Sequence, residues 1–287
     1  MAEGNSASAP AAADASVLDA PGLERTEQWL LPALSAWFRL EVHGAVDALP
    51  DWRTRPSIFV MNHTAILGLE VYLLYAALRR VRPGLPRPRT TVWPPFLEMP
   101  GVGAFYRAGG ALAMSVAGCS AALRAGQSVL ILPEGPDATD VRDVVGTFHA
   151  GFLRVVQAMA AEGIEVPVVP LGWAGVDEAN PWWVTTRPEL VKLLMKPFMP
   201  RFDFALVPRP PLLRPSKVVF VAGEPMDFAG RLGDESALRA EVTRVRERVV
   251  DLVGEAARLR ELAIDGSAAE RVLHAVAGCR RVAWRRR

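Results

Sequence analysis

The stretch "FVMNHTAILGLEVYLL", residues 59–74, decides how the rest of the chain is read. It opens with apolar, β-prone residues and closes with an apolar run suited to a helix. At the junction stands an Asn-His pair, Asn62 and His63, in a chain with four histidines in all. Imidazole is the side chain best matched to moving protons near neutral pH, so a histidine at a strand end is a candidate general base. A lone histidine there also fits a purely structural role, and its neighbours must decide.

Working outward, short β-type runs recur at 57–61 ("SIFVM"), 90–93 ("TTVW"), 127–132 ("QSVLIL"), 165–173 ("EVPVVPLGW") and 217–223 ("KVVFVAG"). Helical segments are expected between them near 65–80, 116–125 and 147–163. The alternation predicts an α/β fold with a mixed, mostly parallel central sheet flanked by helices on both faces. An amphipathic helix over 23–40 precedes it, and a long helix over 235–263 follows. Loops leaving the carboxyl ends of such strands carry the site. His63 follows one strand end and Glu134 another, so the two are expected in one cleft.

Glu134 lies in "ILPEGPDATD", residues 131–140, where a β-run ends in Pro-Glu-Gly. Gly135 permits a tight turn and close approach of backbone to a ligand. In "VPVVPLGW", residues 166–173, two prolines remove ladder donors, which predicts an edge or terminal strand.

Composition sets the outer limits. Hydrophobic residues make up 51% of 287, and the net charge of +2 gives no global field that would demand nucleic acid. The two cysteines, Cys119 and Cys279, form no metal or disulfide framework. No run reaches the roughly 18–20 apolar residues of a membrane span. The Ala-rich start lacks the pattern of a signal peptide and reads as a disordered tail over 1–22. An α/β domain is expected over 23–265 and a basic segment over 266–287. The expected location is the cytoplasm, peripheral on the cytoplasmic membrane face. Three stretches are candidates for lipid contact: the aromatic helix at 23–40, the Pro-rich 187–215 and the C-terminal arginines. Proline excludes a long helix from 187–215, which is expected to be an irregular flap or a lipid-contacting surface.

Taken in order, these stretches resemble the glycerolipid acyltransferase family. "FVMNHT" is similar to the start of its Asn-His-x4-Asp block, "EMPGVGAFYRAGGALAM" (98–114) to its second block, "ILPEG" to Phe-Pro-Glu-Gly-Thr-Arg and "VPVVPL" to its closing Val-Pro-x-x-Pro strand. The resemblance implies transfer of a fatty acyl chain from a thioester, on coenzyme A or acyl carrier protein, to a lipid hydroxyl. His63 would be the general base, Asn62 would brace the turn, and Glu134 with Gly135 would hold the acceptor head group. No metal or other cofactor is implied.

The pattern breaks at three positions, one of them the family's arginine missing near the end of "ALAMSV", residues 111–116. The aspartate expected five residues after the histidine is Gly68. Glu70 is the nearest acid and the candidate catalytic substitute, but along a regular helix seven residues span roughly 10 Å, too far for contact unless the chain bends at Gly68. In a Ser-His-Asp triad, loss of the equivalent carboxylate lowers turnover about 10⁴-fold. Further on, the family's Thr-Arg becomes Pro136-Asp137, an acid where a cation would meet a phosphate. Arg107 and Arg142 are the candidate replacements for that cation, and an acceptor without a phosphate there is the simplest alternative. The sequence therefore leaves two readings, an active acyltransferase with a re-sourced histidine partner or a catalytically silent lipid- or acyl-binding protein on the same scaffold.

Overall fold

The computed structural model describes residues 21–63, 68–135, 145–179, 182–185, 187–194, 205–208, 215–266, 268–269 and 271–272. In chain order the elements that build the sheet are β1 (Glu41–Gly44), β2 (Ile58–Met61), β3 (Arg89–Val92), β4 (Leu112–Ala113), β5 (Val129–Ile131), β6 (Val168–Ala174) and β9 (Val219–Ala222). Their order across the sheet is β1-β9-β6-β2-β5-β3-β4. Five strands run parallel, while β9 pairs antiparallel with β6 and β1 runs with β9.

β2 lies at the centre, and all four of its residues are buried. Because alternate residues of a strand face opposite sides, they divide between two cores. Phe59 and Met61 join Leu73, Leu74, Trp173 and Phe220 on one face. That face is covered by α1 (Pro21–Trp37) and α2 (Leu69–Val81). Ile58 and Val60 join Phe152, Leu153, Val245 and Val249 on the other. There α5 (Val116–Arg124), α6 (Gly151–Ala160) and α9 (Glu235–Gly266) provide the cover. A strand buried on both faces must be apolar throughout, which is why "IFVM" shows no polar alternation.

The α/β class, the mostly parallel sheet and the helices on both faces agree with the sequence expectation. The position of the Pro-containing strand does not. β6 is central, between β9 and β2. The bridge Val168↔Met226 and the ladder Leu171↔Ala222 differ by one residue in register, so the segment leaving β9 carries a bulge between Gly223 and Met226, beside Pro170. Pro170 still accepts from the Gly223 amide at 2.9 Å, and its missing N–H falls where the partner strand swings out.

Two further differences are local. The helix expected from 147 begins at Gly151, because the preceding turn is held extended by the His149 amide donating to the Pro133 carbonyl at 2.9 Å. Within 187–215 the structure has a short helix, α8 (Pro188–Leu194), and a strand, β8 (Ala205–Pro208), paired with β7 (Trp182–Thr185). The remainder of that segment, residues 1–20 of the tail expected over 1–22 and residues 273–287 lie outside the described residues, while residues 21 and 22 belong to α1. Among the described residues no helix is long and apolar enough to cross a membrane.

Candidate active site

The carboxyl ends of β2, β5 and β6 meet at His63. β2 ends at Met61, and the Asn62 side chain continues its pairing with β6. Asn62 Oδ1 accepts from the Trp173 amide at 3.3 Å, and Asn62 Nδ2 donates to the Trp173 carbonyl at 3.5 Å. The Trp173 indole N–H donates to the Asn62 carbonyl at 3.0 Å. Asn62 is buried, so all of this bonding occurs away from water, where an unpaired amide would be costly.

His63 then faces two carboxylates. Its Nδ1 lies 2.6 Å from Glu70 Oε1, and its backbone N–H donates to Glu134 Oε1 at 2.9 Å. The condition set for Glu70, a bend at Gly68, is met. α2 begins only at Leu69, with Gly68 at its N-cap in the left-handed region at φ 75°, so the seven residues do not rise along one helix. The chain turns back at Gly68 and presents the first turn of α2 to the end of β2. Residues 64–67 between them lie outside the described residues.

The Glu70 side chain is fully buried, whereas the His63 side chain keeps 24% exposure. This asymmetry suits a fixed acid and a ring with one edge open. Glu70 Oε2 has no hydrogen-bond partner among the described residues. A buried carboxylate with one orphaned oxygen is costly to fold around, and such groups concentrate at functional sites.

Opposing influences act on the imidazole. Burial lowers its pKa, but the charge and hydrogen bond of Glu70, helped by the charge of Glu134, raise it further, and the net direction is upward. Burial raises the pKa of Glu134 above the ordinary carboxylate value, against the His63 and Gly146 amides and the charges of His63 and Arg246. Tyr106, on α4 (Val102–Ala108), is also pushed far up, chiefly by burial and then by Glu70 and Tyr72. It stays a protonated phenol on the Glu70 side of the site. Around it an aromatic group runs outward: Phe96 and Phe105 lie 6.2 and 5.8 Å from Tyr106 between ring centres, and Phe105 is 54% exposed.

Glu134 is buried and held at both oxygens, since Oε2 accepts from the Gly146 amide at 2.8 Å. As placed, it ties the β5 end, the β2 end and the segment at Gly146 together. Gly135 follows in the left-handed region at φ 64°, and a side chain there would meet the His149 ring at 3.4 Å.

His63, Glu70, Glu134, Asn62 and Gly135 thus converge. Arg107 is bonded to the Leu97 carbonyl at 2.6 Å, tying α4 back to α3 (Pro94–Glu98). Arg142 and Asp137 lie outside the described residues. Sequence reasoning missed Gly146, which acts through its backbone and carries no side-chain signal. It also missed Trp173 as the partner of Asn62.

Residues 39–174 match the Acyltransferase family. No curated protein matches the chain. Among solved structures, the 1-acyl-sn-glycerophosphate (LPA) acyltransferase PlsC from Thermotoga maritima is similar at a TM-score of 0.48 and 18% identity, covering 82% of this chain and 84% of that one. The matched stretch is similar to the Acyltransferase family and takes in the strand ends that carry His63 and Glu134.

Proposed function

We propose that the chain transfers a fatty acyl group from a thioester to a lipid hydroxyl, with His63 as general base and Glu70 as the carboxylate that orients it. The observation that carries this reading is the 2.6 Å contact between His63 Nδ1 and a fully buried Glu70. With Nδ1–H donated to Glu70, the lone pair sits on Nε2, the other ring edge. Nε2 takes the acceptor's proton as its oxygen attacks the thioester carbonyl. The tetrahedral oxyanion then collapses, the C–S bond breaks, and the departing thiolate takes the proton from the imidazolium. Glu70 stabilises the imidazolium without itself being protonated, the role of the aspartate in a Ser-His-Asp triad.

Glu134 fixes the His63 backbone, and with Gly135 it shapes the acceptor side. The donor is an acyl thioester on coenzyme A or acyl carrier protein. The acceptor is a glycerolipid or another hydroxylated lipid without a phosphate near Asp137, whose charge would repel one. The exposed Trp29 and Trp37 of α1 and Phe105 of α4 suit a protein that works at a membrane surface. Of the two grounds for the catalytically silent reading, Glu70 answers the missing aspartate, and the missing arginine stands.

The test is thiol release and acyl-lipid formation from acyl-coenzyme A, with lysophosphatidate, monoacylglycerol, a glycolipid and a sterol as acceptors. We expect product with the native protein and none above background with His63→Ala. No product with any acceptor and either carrier, or an unchanged rate in His63→Ala, would overturn the proposal.

A further inference from the structure

We propose that Arg246, on the long C-terminal helix, is a positioning residue for His63, acting through the Val145–Gly146 backbone and Glu134. The inference rests on the acyltransferase reading for its catalytic consequence, but its structural core stands on four hydrogen bonds. Arg246 Nε donates to the Gly146 carbonyl at 2.6 Å, and Nη2 donates to the Val145 carbonyl at 2.7 Å. The Gly146 amide donates to Glu134 Oε2 at 2.8 Å. The His63 amide donates to Glu134 Oε1 at 2.9 Å.

The guanidinium suits this task. Nε and one terminal nitrogen lie on the same edge of a rigid plane, so two consecutive carbonyls are held at a fixed angle. A lysine offers a single point of contact and cannot hold both. The helix that carries the fork is itself anchored, since Val245 and Val249 are fully buried in the core beneath the sheet. Arg246 therefore references the Gly146 amide to the packed core, 100 residues away in sequence. The Val145 carbonyl that Arg246 holds shares one peptide plane with the Gly146 amide that Glu134 needs. Room is short: a Cβ on Gly146 would lie 2.8 Å from Glu134 Oε2. A shift of a few tenths of an ångström at Gly146 is felt at Glu134, and Glu134 is the group that fixes the His63 backbone. The charge of Arg246 also favours the ionised form of Glu134, the form that accepts from two amides.

The experiment compares the full-length protein with Arg246→Gln, Arg246→Lys and a control on the same helix, Arg260→Gln. Arg260 donates to the Lys217 carbonyl at 2.6 Å and pairs with Glu178, so its loss also releases a tether of α9. Three quantities are read: melting temperature, amide hydrogen exchange at His63 and Gly146, and kcat and KM for the thioester. In Arg246→Gln we expect exchange at both amides to quicken at least tenfold. We expect kcat to fall about ten- to a hundredfold, with KM changed less than about threefold, as for an interaction realised in the transition state. Arg246→Lys should fall between, and it keeps the test open if the glutamine variant does not fold. Arg260→Gln should lower the melting temperature without altering exchange at His63 or kcat. Unchanged exchange at His63 in both Arg246 variants overturns the inference, as does an equal kcat loss in Arg260→Gln. Native protein without turnover would instead sink the acyltransferase reading, leaving the exchange result to judge Arg246.

Discussion

His63 Nδ1 and Glu70 Oε1 are 2.6 Å apart because a left-handed turn at Gly68 starts α2 just short of Glu70 and turns its first residues toward the end of β2. On the proposed reading, Glu70 takes the role of the missing aspartate from two residues further on. Replacing Glu70 by Gln keeps the shape and removes the charge. We expect kcat to fall about 10²- to 10⁴-fold, the range set by the equivalent change in a Ser-His-Asp triad. Steady-state kinetics against Glu70→Ala and the native protein checks this.

The same pair fixes a pH dependence. A general base must be neutral, so kcat/KM rises with pH through the pKa of His63, which Glu70 and Glu134 hold above its ordinary value. In Glu70→Gln the two largest raising influences go and burial remains, so the acid limb should move to lower pH while the plateau drops. Stability follows the opposite sense to a depressed carboxylate. A raised His63 contributes most below its unfolded value of about 6.5 and loses that contribution as pH rises through the folded value. pH–rate profiles and pH-dependent melting measure the two effects.

Restoring the family's aspartate should not help. Gly68 sits at φ 75°, and a Cβ there would meet nothing closer than Val71 at 3.8 Å. Gly68→Asp therefore has room but carries left-handed strain of about 1 kcal/mol. With Glu70 already on Nδ1, we expect unchanged or reduced turnover and a melting temperature lower by a few degrees. A severalfold gain in turnover would show that Glu70 does not fill the role.

At Gly146 the missing side chain matters. Gly146→Ala places a Cβ 2.8 Å from Glu134 Oε2, so the carboxylate must move. We expect a loss of about 1–3 kcal/mol in stability from overpacking, together with reduced kcat. Denaturant melts with parallel kinetics test it.

The exposed tryptophans make a separate expectation. Trp29 is 82% exposed and Trp37 49%. If α1 lies on lipid, Trp29→Ala with Trp37→Ala should weaken vesicle binding severalfold, and added salt should change the native binding little, because apolar insertion is not screened. Sedimentation with neutral and anionic vesicles reads this directly.

Much of the scaffold was legible in the sequence. The runs at 57–61 and 127–132 are apolar without alternation, as two-sided burial demands, and both became central strands. The meeting of His63 and Glu134 followed from strand ends alone. Three things were not legible. Glu70 was named, but its reach hung on a bend at Gly68, because helical rise was applied to a segment that is not yet helix. Pro170 was sent to an edge because the bulge that excuses its missing donor is written in the partner strand, at Gly223, and not beside the proline. Arg246 was one of many arginines on a mixed-charge helix, and only the fold reveals that its targets are backbone carbonyls a hundred residues earlier.

The most direct measurement is a double-mutant cycle on thioester turnover with His63→Ala and Glu70→Gln. If Glu70 works through the His63 ring, its replacement lowers turnover about a hundredfold or more in the native background and changes nothing once the ring is gone. An equal loss in both backgrounds, or a His63→Ala protein that turns over as fast as the native one, would contradict the account.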